Sequence, residues 1–207
     1  MQPMEKTDLW EPERAAREKG YRLICGADEA GAGPLAGPVY AAAVMLPFGL
    51  EIPGLNDSKK LTEKKREALF PTIQELALAW AVSSVSAEEI DRTDILSARM
   101  KAMQLAIDQL HPAAEYALID GNRDKGRTAA ILTPHELLVK GDGRSASIAA
   151  ASILAKVSRD RYMAHMAERY PEYELEKHKG YPTKRHYELL RQYGPSPIHR
   201  LSFLKKR

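Results

Sequence analysis

Residues 38–46, Pro-Val-Tyr-Ala-Ala-Ala-Val-Met-Leu, form a continuously apolar run. A strand with one wet face alternates apolar and polar side chains, so a continuous run needs cover on both faces. It is also far too short to cross a bilayer as a helix. It therefore reads as a buried central strand. Just before it lie a second candidate strand, residues 21–27, and the turn Gly31-Ala32-Gly33-Pro34.

Helical spacing takes over downstream. Thr62 reads as an N-cap with Glu63 in the first turn, and Leu69, Ile73 and Leu76 share a face. Leu96, Met100, Met103, Ile107 and Leu110 form a longer apolar stripe that Pro112 ends, and a stripe of this kind is core. Residues 145–169 predict a long helix whose alanine-rich start allows close packing on a sheet. Short helices are predicted over 9–19 and, as the last of the chain, over 184–193. Further strands are predicted over 78–85, 116–119, 130–132 and 137–139. Strands alternating with helices make the class α/β with a mixed sheet. The order of the strands does not follow from this pattern.

With 207 residues, the chain suits one domain, or one domain with a terminal extension. Met1-Gln2-Pro3-Met4-Glu5-Lys6 has no apolar signal core, and Cys25 is the only cysteine, which excludes an intramolecular disulfide and a cysteine-based zinc site. These features favour a cytoplasmic protein. The net charge of +3 says less than its distribution: residues 156–207 hold 13 Lys or Arg against 6 Asp or Glu. Such a segment is either a solvated helical surface or a surface that meets phosphates.

Four carboxylates end apolar runs at turns: Asp28 and Glu29, then Asp120, then Asp142 ahead of the long helix. Carboxylates converging at a sheet edge repel one another unless cations bind. All-oxygen donors favour Mg²⁺ or Mn²⁺ over Zn²⁺. Read singly, Asp142 also serves as a turn or N-cap residue, and Asp120-Gly121 as a plain turn. Adjacent Asp28 and Glu29 are harder to explain without partners. Neighbours in a regular strand point to opposite faces, so the pair shares a site only if the strand ends or bulges there, as Gly31 allows, or if one of the two contributes differently.

In this order, several segments resemble the bacterial ribonuclease HII family. They are Asp28-Glu29-Ala30-Gly31-Ala32-Gly33-Pro34-Leu35-Ala36-Gly37-Pro38-Val39, Leu55-Asn56-Asp57-Ser58-Lys59-Lys60-Leu61, Ile119-Asp120-Gly121-Asn122 and Lys140-Gly141-Asp142. Ser147-Ile148-Ala149-Ala150-Ala151-Ser152 and its continuation to Val157, Lys179-Gly180-Tyr181-Pro182-Thr183-Lys184 with His186, and Ser196-Pro197-Ile198-His199-Arg200 with Ser202-Phe203 complete the set. The resemblance spans residues 20–204.

It implies a ribonuclease H-like mixed sheet flanked by helices, a catalytic core over 1–170 and a helical substrate-binding extension over 171–207. It implies an endonuclease that cuts the RNA strand of RNA–DNA hybrids and ribonucleotides embedded in duplex DNA; no motif suggests an obligate oligomer, so a monomer is expected. Asp28, Glu29, Asp120 and Asp142 are implied as catalytic ligands of two Mn²⁺ or Mg²⁺ ions. Gly31, Ala32, Gly33 and Tyr181 are implied as the readers of the 2′-OH, which separates RNA from DNA. Lys59, Lys60, Lys140, Arg144 and Lys156 lie in or near the matched segments as candidate phosphate contacts.

One residue departs from the pattern. The family places arginine where Ala32 stands, and alanine lacks the charge and the fork of donors. Two other readings therefore stay open: a catalytically impaired hybrid-binding variant, and a different metal-dependent phosphohydrolase.

Overall fold

The computed structural model describes residues 8–56 and 58–204. The expectations placed on residues 1–6, on Asp57, and on the basic residues Lys205, Lys206 and Arg207 fall outside the described residues.

The chain runs through α1 (Glu11–Glu18), β1 (Ile24–Ala30), β2 (Val39–Met45), α2 (Glu63–Leu76), β3 (Ala79–Val85), α3 (Ala87–Arg92), α4 (Ile95–Asp108), β4 (Tyr116–Asp120) and β5 (His135–Leu138). It continues through α5 (Ala146–Arg169), α6 (Leu175–His178), α7 (Lys184–Tyr193) and α8 (Leu201–Leu204). The sheet order is β3-β2-β1-β4-β5. β1 pairs antiparallel with β2, and β2 with β3, while β1–β4 and β4–β5 are parallel. The mixed α/β sheet is thus observed, with the apolar run as β2 near its middle.

Helices cover both faces. On one, Cys25, Ala27, Ala41 and Ala43 pack with Met100, Met103 and Ile107 of α4. On the other, Ala42 and Val44 meet Ala150, Ile153 and Leu154 of α5, with Phe70 and Ile73 of α2. The approach of α5 is close: a Cβ at Gly26 of β1 would lie 2.2 Å from the Ile148 nitrogen. Only glycine fits there, and the alanines along α5 extend the same close fit.

The expected cap forms at Thr62, which accepts from the Lys65 amide, and Ser145 caps α5 by accepting from the Ile148 amide. Glu13, reaching from α1, accepts from the Ser145 hydroxyl at 2.7 Å and the Ser147 amide at 3.0 Å, where the first-turn donors have no helical partner.

Several expectations are corrected. β1 starts at Ile24 and runs on through Asp28 and Glu29 to Ala30, because β2 offers a regular partner for each. Residues 130–132 form no strand; Ala130 makes one bridge to Lys125. Leu76 is exposed, since Phe70 and Ile73 carry the buried face of α2. The short α8 follows α7, so residues 184–193 are not the last helix, and α3 was not anticipated.

Candidate active site

Asp28 and Glu29 sit near the end of β1, and their strand neighbours show which way each faces. Register places Asp28 opposite Ala42, whose side chain packs on the α5 side, and Glu29 opposite Ala41, on the α4 side. The strand neither ends nor bulges between them, so the condition set for their sharing one face is not met. Asp120, the last residue of β4, has the parity of Leu118, which packs with Ile148 of α5. Asp28 and Asp120 therefore share the α5 face at the ends of two parallel strands.

Asp28 is 5% exposed, and its carboxylate accepts from the Glu29 amide at 2.7 Å. Burial pushes its carboxyl well above the ordinary range, and the charges of Glu29 and Asp120 push it further. Asp120 accepts from the Gly141 amide at 2.7 Å, which ties β4 to the 3₁₀ turn Gly141–Gly143 that carries Asp142. Asp142 is buried and lies in that turn, not at the N-cap of α5, which is Ser145.

Glu29 is held from the other face. Arg99 of α4 brings Nη2 to 2.6 Å from Glu29 Oε1. Burial still raises the Glu29 carboxyl, with Arg99 opposing. Its Oε2 and the Arg99 Nε are both buried without a hydrogen-bond partner. Arg99 was not singled out in the sequence, where it is one cation within an amphipathic helix.

Lys59 lies in the 3₁₀ turn Ser58–Lys60, anchored where the Ser152 hydroxyl of α5 donates to that of Ser58 at 2.5 Å. Its Nζ stands 3.1 Å from Asp142 Oδ2. Burial alone would lower the Lys59 ammonium, but Asp142, Asp28 and Asp120 together raise it. Lys60 and Arg144 are exposed beside this cluster, and exposed Lys140 adopts a left-handed conformation, φ 56°, as β5 gives way to the Gly141–Gly143 turn.

Among the described residues, no group of three or more His, Cys, Asp or Glu side chains is gathered closely enough to hold a metal ion. The cluster fits a divalent cation in donor type, in its mutual repulsion and in the unbonded Glu29 oxygen.

A second group of predicted residues lies along the turn after β1. Gly31 has φ +92°, and a Cβ there would lie 2.0 Å from Arg159 Nε, so it must be glycine. Gly33 faces open space, and Ala32 is partly exposed. Two fully buried arginines brace the turn. Arg200 donates to the carbonyls of Gly31, Ala32 and Gly37 at 2.6, 3.0 and 2.9 Å. Arg159 donates to those of Ala36, Pro38 and Lys179 at 3.1, 3.3 and 3.1 Å.

Both arginines belong to the basic C-terminal count, yet neither faces solvent. Arg159 was not singled out in the sequence; its one signal is a charge on an otherwise apolar helix face. Tyr181 is 41% exposed, and its neighbour Gly180 is tied to the segment after the turn, where the Leu35 amide donates to the Gly180 carbonyl at 2.8 Å. Lys156 Nζ and Arg159 Cζ lie 6.0 and 5.7 Å from the Tyr181 ring centroid.

A family model described as Ribonuclease HII matches residues 25–206. A protein of Dechloromonas aromatica (strain RCB) named Ribonuclease HII is 56% identical over 181 residues, 87% of this chain and 90% of that protein. Ribonuclease HII of Caldicellulosiruptor bescii is 48% identical over 205 residues, 99% of this chain and 98% of that protein. The crystal structure of the ribonuclease H2 from Pyrococcus horikoshii OT3 superposes with a TM-score of 0.70 at 26% identity, covering 86% of this chain and 92% of that one.

Proposed function

The chain belongs to the ribonuclease HII family of metal-dependent endoribonucleases acting on RNA–DNA hybrids, and we propose that Asp28, Glu29, Asp120 and Asp142 are its catalytic carboxylates. The observation that carries this reading is the burial of Asp28 against the charges of Glu29 and Asp120. Such an arrangement is unfavourable by itself and becomes favourable when a cation enters. The donors are all oxygen, which suits Mn²⁺ or Mg²⁺. Two such ions would supply an activated water and a counter-charge for the leaving 3′ oxygen.

The protein's own residues do the positioning. Asp28 and Asp120 present oxygens from adjacent parallel strands, and the Gly141 amide fixes the orientation of Asp120. Asp142 approaches from its turn paired with Lys59, which is proposed as a phosphate contact. Lys60 and Lys140 are exposed and are proposed as further phosphate contacts.

Recognition is proposed for the Gly31-Ala32-Gly33 backbone and Tyr181, the latter contributed by a substrate-binding segment beginning at residue 171. The exposed Gly33, with open space before it, suits close approach by a 2′-OH. The substrates are long hybrids and duplex DNA carrying single ribonucleotides. Cleavage leaves a 5′-phosphate and a 3′-OH, and is weakened at the junction by Ala32. End-group analysis of a cut hybrid tests the reading: a 2′,3′-cyclic phosphate would overturn it, because the 2′-OH would then be the nucleophile.

A further inference from the structure

Three histidines of the C-terminal segment take no part in this chemistry, yet they are buried side by side: His178 stacks on His186, and His199 meets His186 at a tilt. Ring centroids lie 4.2 Å apart for His178 and His186 and 5.2 Å apart for His186 and His199.

Their partners fix the tautomers, because a carbonyl oxygen only accepts and an amide N–H only donates. His186 Nδ1 lies 3.0 Å from the Tyr181 carbonyl, so it carries the proton. In a neutral ring Nε2 then accepts, and its partner at 3.0 Å, His199 Nε2, must donate. That leaves His199 Nδ1 as an acceptor, and the Ser196 amide donates to it at 2.9 Å. Reasoning inward from Tyr181 and inward from Ser196 gives the same assignment. Burial keeps both rings neutral, lowering each to about 4.

The relay connects the two halves of the recognition surface. At one end His186 holds the Tyr181 carbonyl, while the Tyr181 amide bonds His178 O at 2.8 Å. At the other end His199 lies between Ile198, whose carbonyl accepts from Gly37 N, and Arg200, whose amide donates to Leu35 O, each at 2.8 Å. His199 also forms a β-bridge with Ala36.

We propose that His186 and His199 are positioning residues for substrate recognition, their one-way hydrogen-bond relay from Ser196 to the carbonyl of Tyr181 setting the tyrosine at a fixed offset from the turn at residues 31–37. This role rests on the reading of Tyr181 as a substrate contact.

Nitrogen NMR of histidine-labelled protein at neutral pH reads the tautomers directly. His186 protonated on Nδ1 and His199 on Nε2 are the expected result; the opposite tautomers, or a charged ring, would overturn the relay. Kinetics on a DNA duplex carrying one ribonucleotide tests the role. His186→Phe keeps the ring's bulk and removes both bonds, and should raise KM about tenfold, more than it lowers kcat. The Mn²⁺ binding isotherm of the same variant should match the parent, which separates mispositioning from general unfolding. A raised KM in Tyr181→Ala with none in His186→Phe would overturn the positioning role alone. An unchanged KM in Tyr181→Ala would overturn the reading of the tyrosine and this role with it. If His186→Phe does not fold, the NMR tautomers of the parent protein decide.

Discussion

Arg99 holds Glu29 away from Asp28: its Nη2 lies 2.6 Å from Glu29 Oε1, on the face of the sheet opposite the Asp28 side chain. Without metal, the Arg99 guanidinium at Glu29 and the Lys59 ammonium at Asp142 offset the charge of the carboxylate cluster. On the proposed reading of Glu29 as a metal ligand, metal and Arg99 compete for it.

Arg99→Ala should lower the metal-free stability by about 1–3 kcal/mol, because it leaves a mostly buried carboxylate without its partner. Saturating Mn²⁺ should then restore more stability to the variant than to the parent. Thermal melting with and without the ion checks this. An identical deficit in both conditions would mean that Arg99 and metal do not share Glu29.

Asp28→Asn should raise metal-free stability while abolishing cleavage. It removes a buried charge that burial disfavours and that Glu29 and Asp120 repel. A metal-free variant less stable than the parent would show that the cluster is not under electrostatic strain.

Ala32→Arg should speed cleavage at a single ribonucleotide without stabilising the fold. The bracing an arginine here could provide already comes from Arg200, through the carbonyls of Gly31 and Ala32. A phosphate contact remains to be gained. One charged hydrogen bond contributes about 1.5–3 kcal/mol, or roughly one to two orders of magnitude in rate if it forms in the transition state. A raised Tm with no gain in kcat/KM would contradict this.

The buried histidines should make the fold acid-sensitive. Burial lowers His186 and His199 to about 4, each further disfavoured by a neighbouring histidine. An unfolded histidine takes a proton below about 6.5, so the unfolded state binds more protons as pH falls from there towards 4. The contribution is intact above that range and is lost on acidification, by an amount on the order of 2 kcal/mol per ring. Burial lowers His178 as well, while its bond to the Tyr173 carbonyl and the charges of Glu174 and Glu176 favour its charged form. Denaturant melts at pH 7 and 4.5 should show a smaller acid loss in a His186→Phe, His199→Phe double variant than in the parent. Equal losses would contradict the assignment.

Much of this fold is legible because local pattern and tertiary environment agree. The continuous run of β2 is covered on both faces, the methionine-bearing stripe of α4 is core, and Thr62 caps its helix. What escapes the sequence depends on contacts between distant segments. Counting cations marks Arg159 and Arg200 as part of a basic surface, but each is buried because it meets backbone carbonyls gathered from a remote turn. Asp28 and Glu29 are conspicuous as a pair. Their division between two faces follows from the register with β2, and the partner that makes it tolerable, Arg99, lies about seventy residues away.

The most direct test of the central claim is cleavage of a DNA duplex carrying one ribonucleotide, with the parent chain and Asp28→Asn compared in Mn²⁺, in Mg²⁺ and after chelation. The parent should cut only with a divalent ion, leaving a 5′-phosphate and a 3′-OH, and the variant should not cut at all. Metal-independent cutting, or retained turnover in Asp28→Asn, would contradict the assignment of the carboxylate cluster as the catalytic centre.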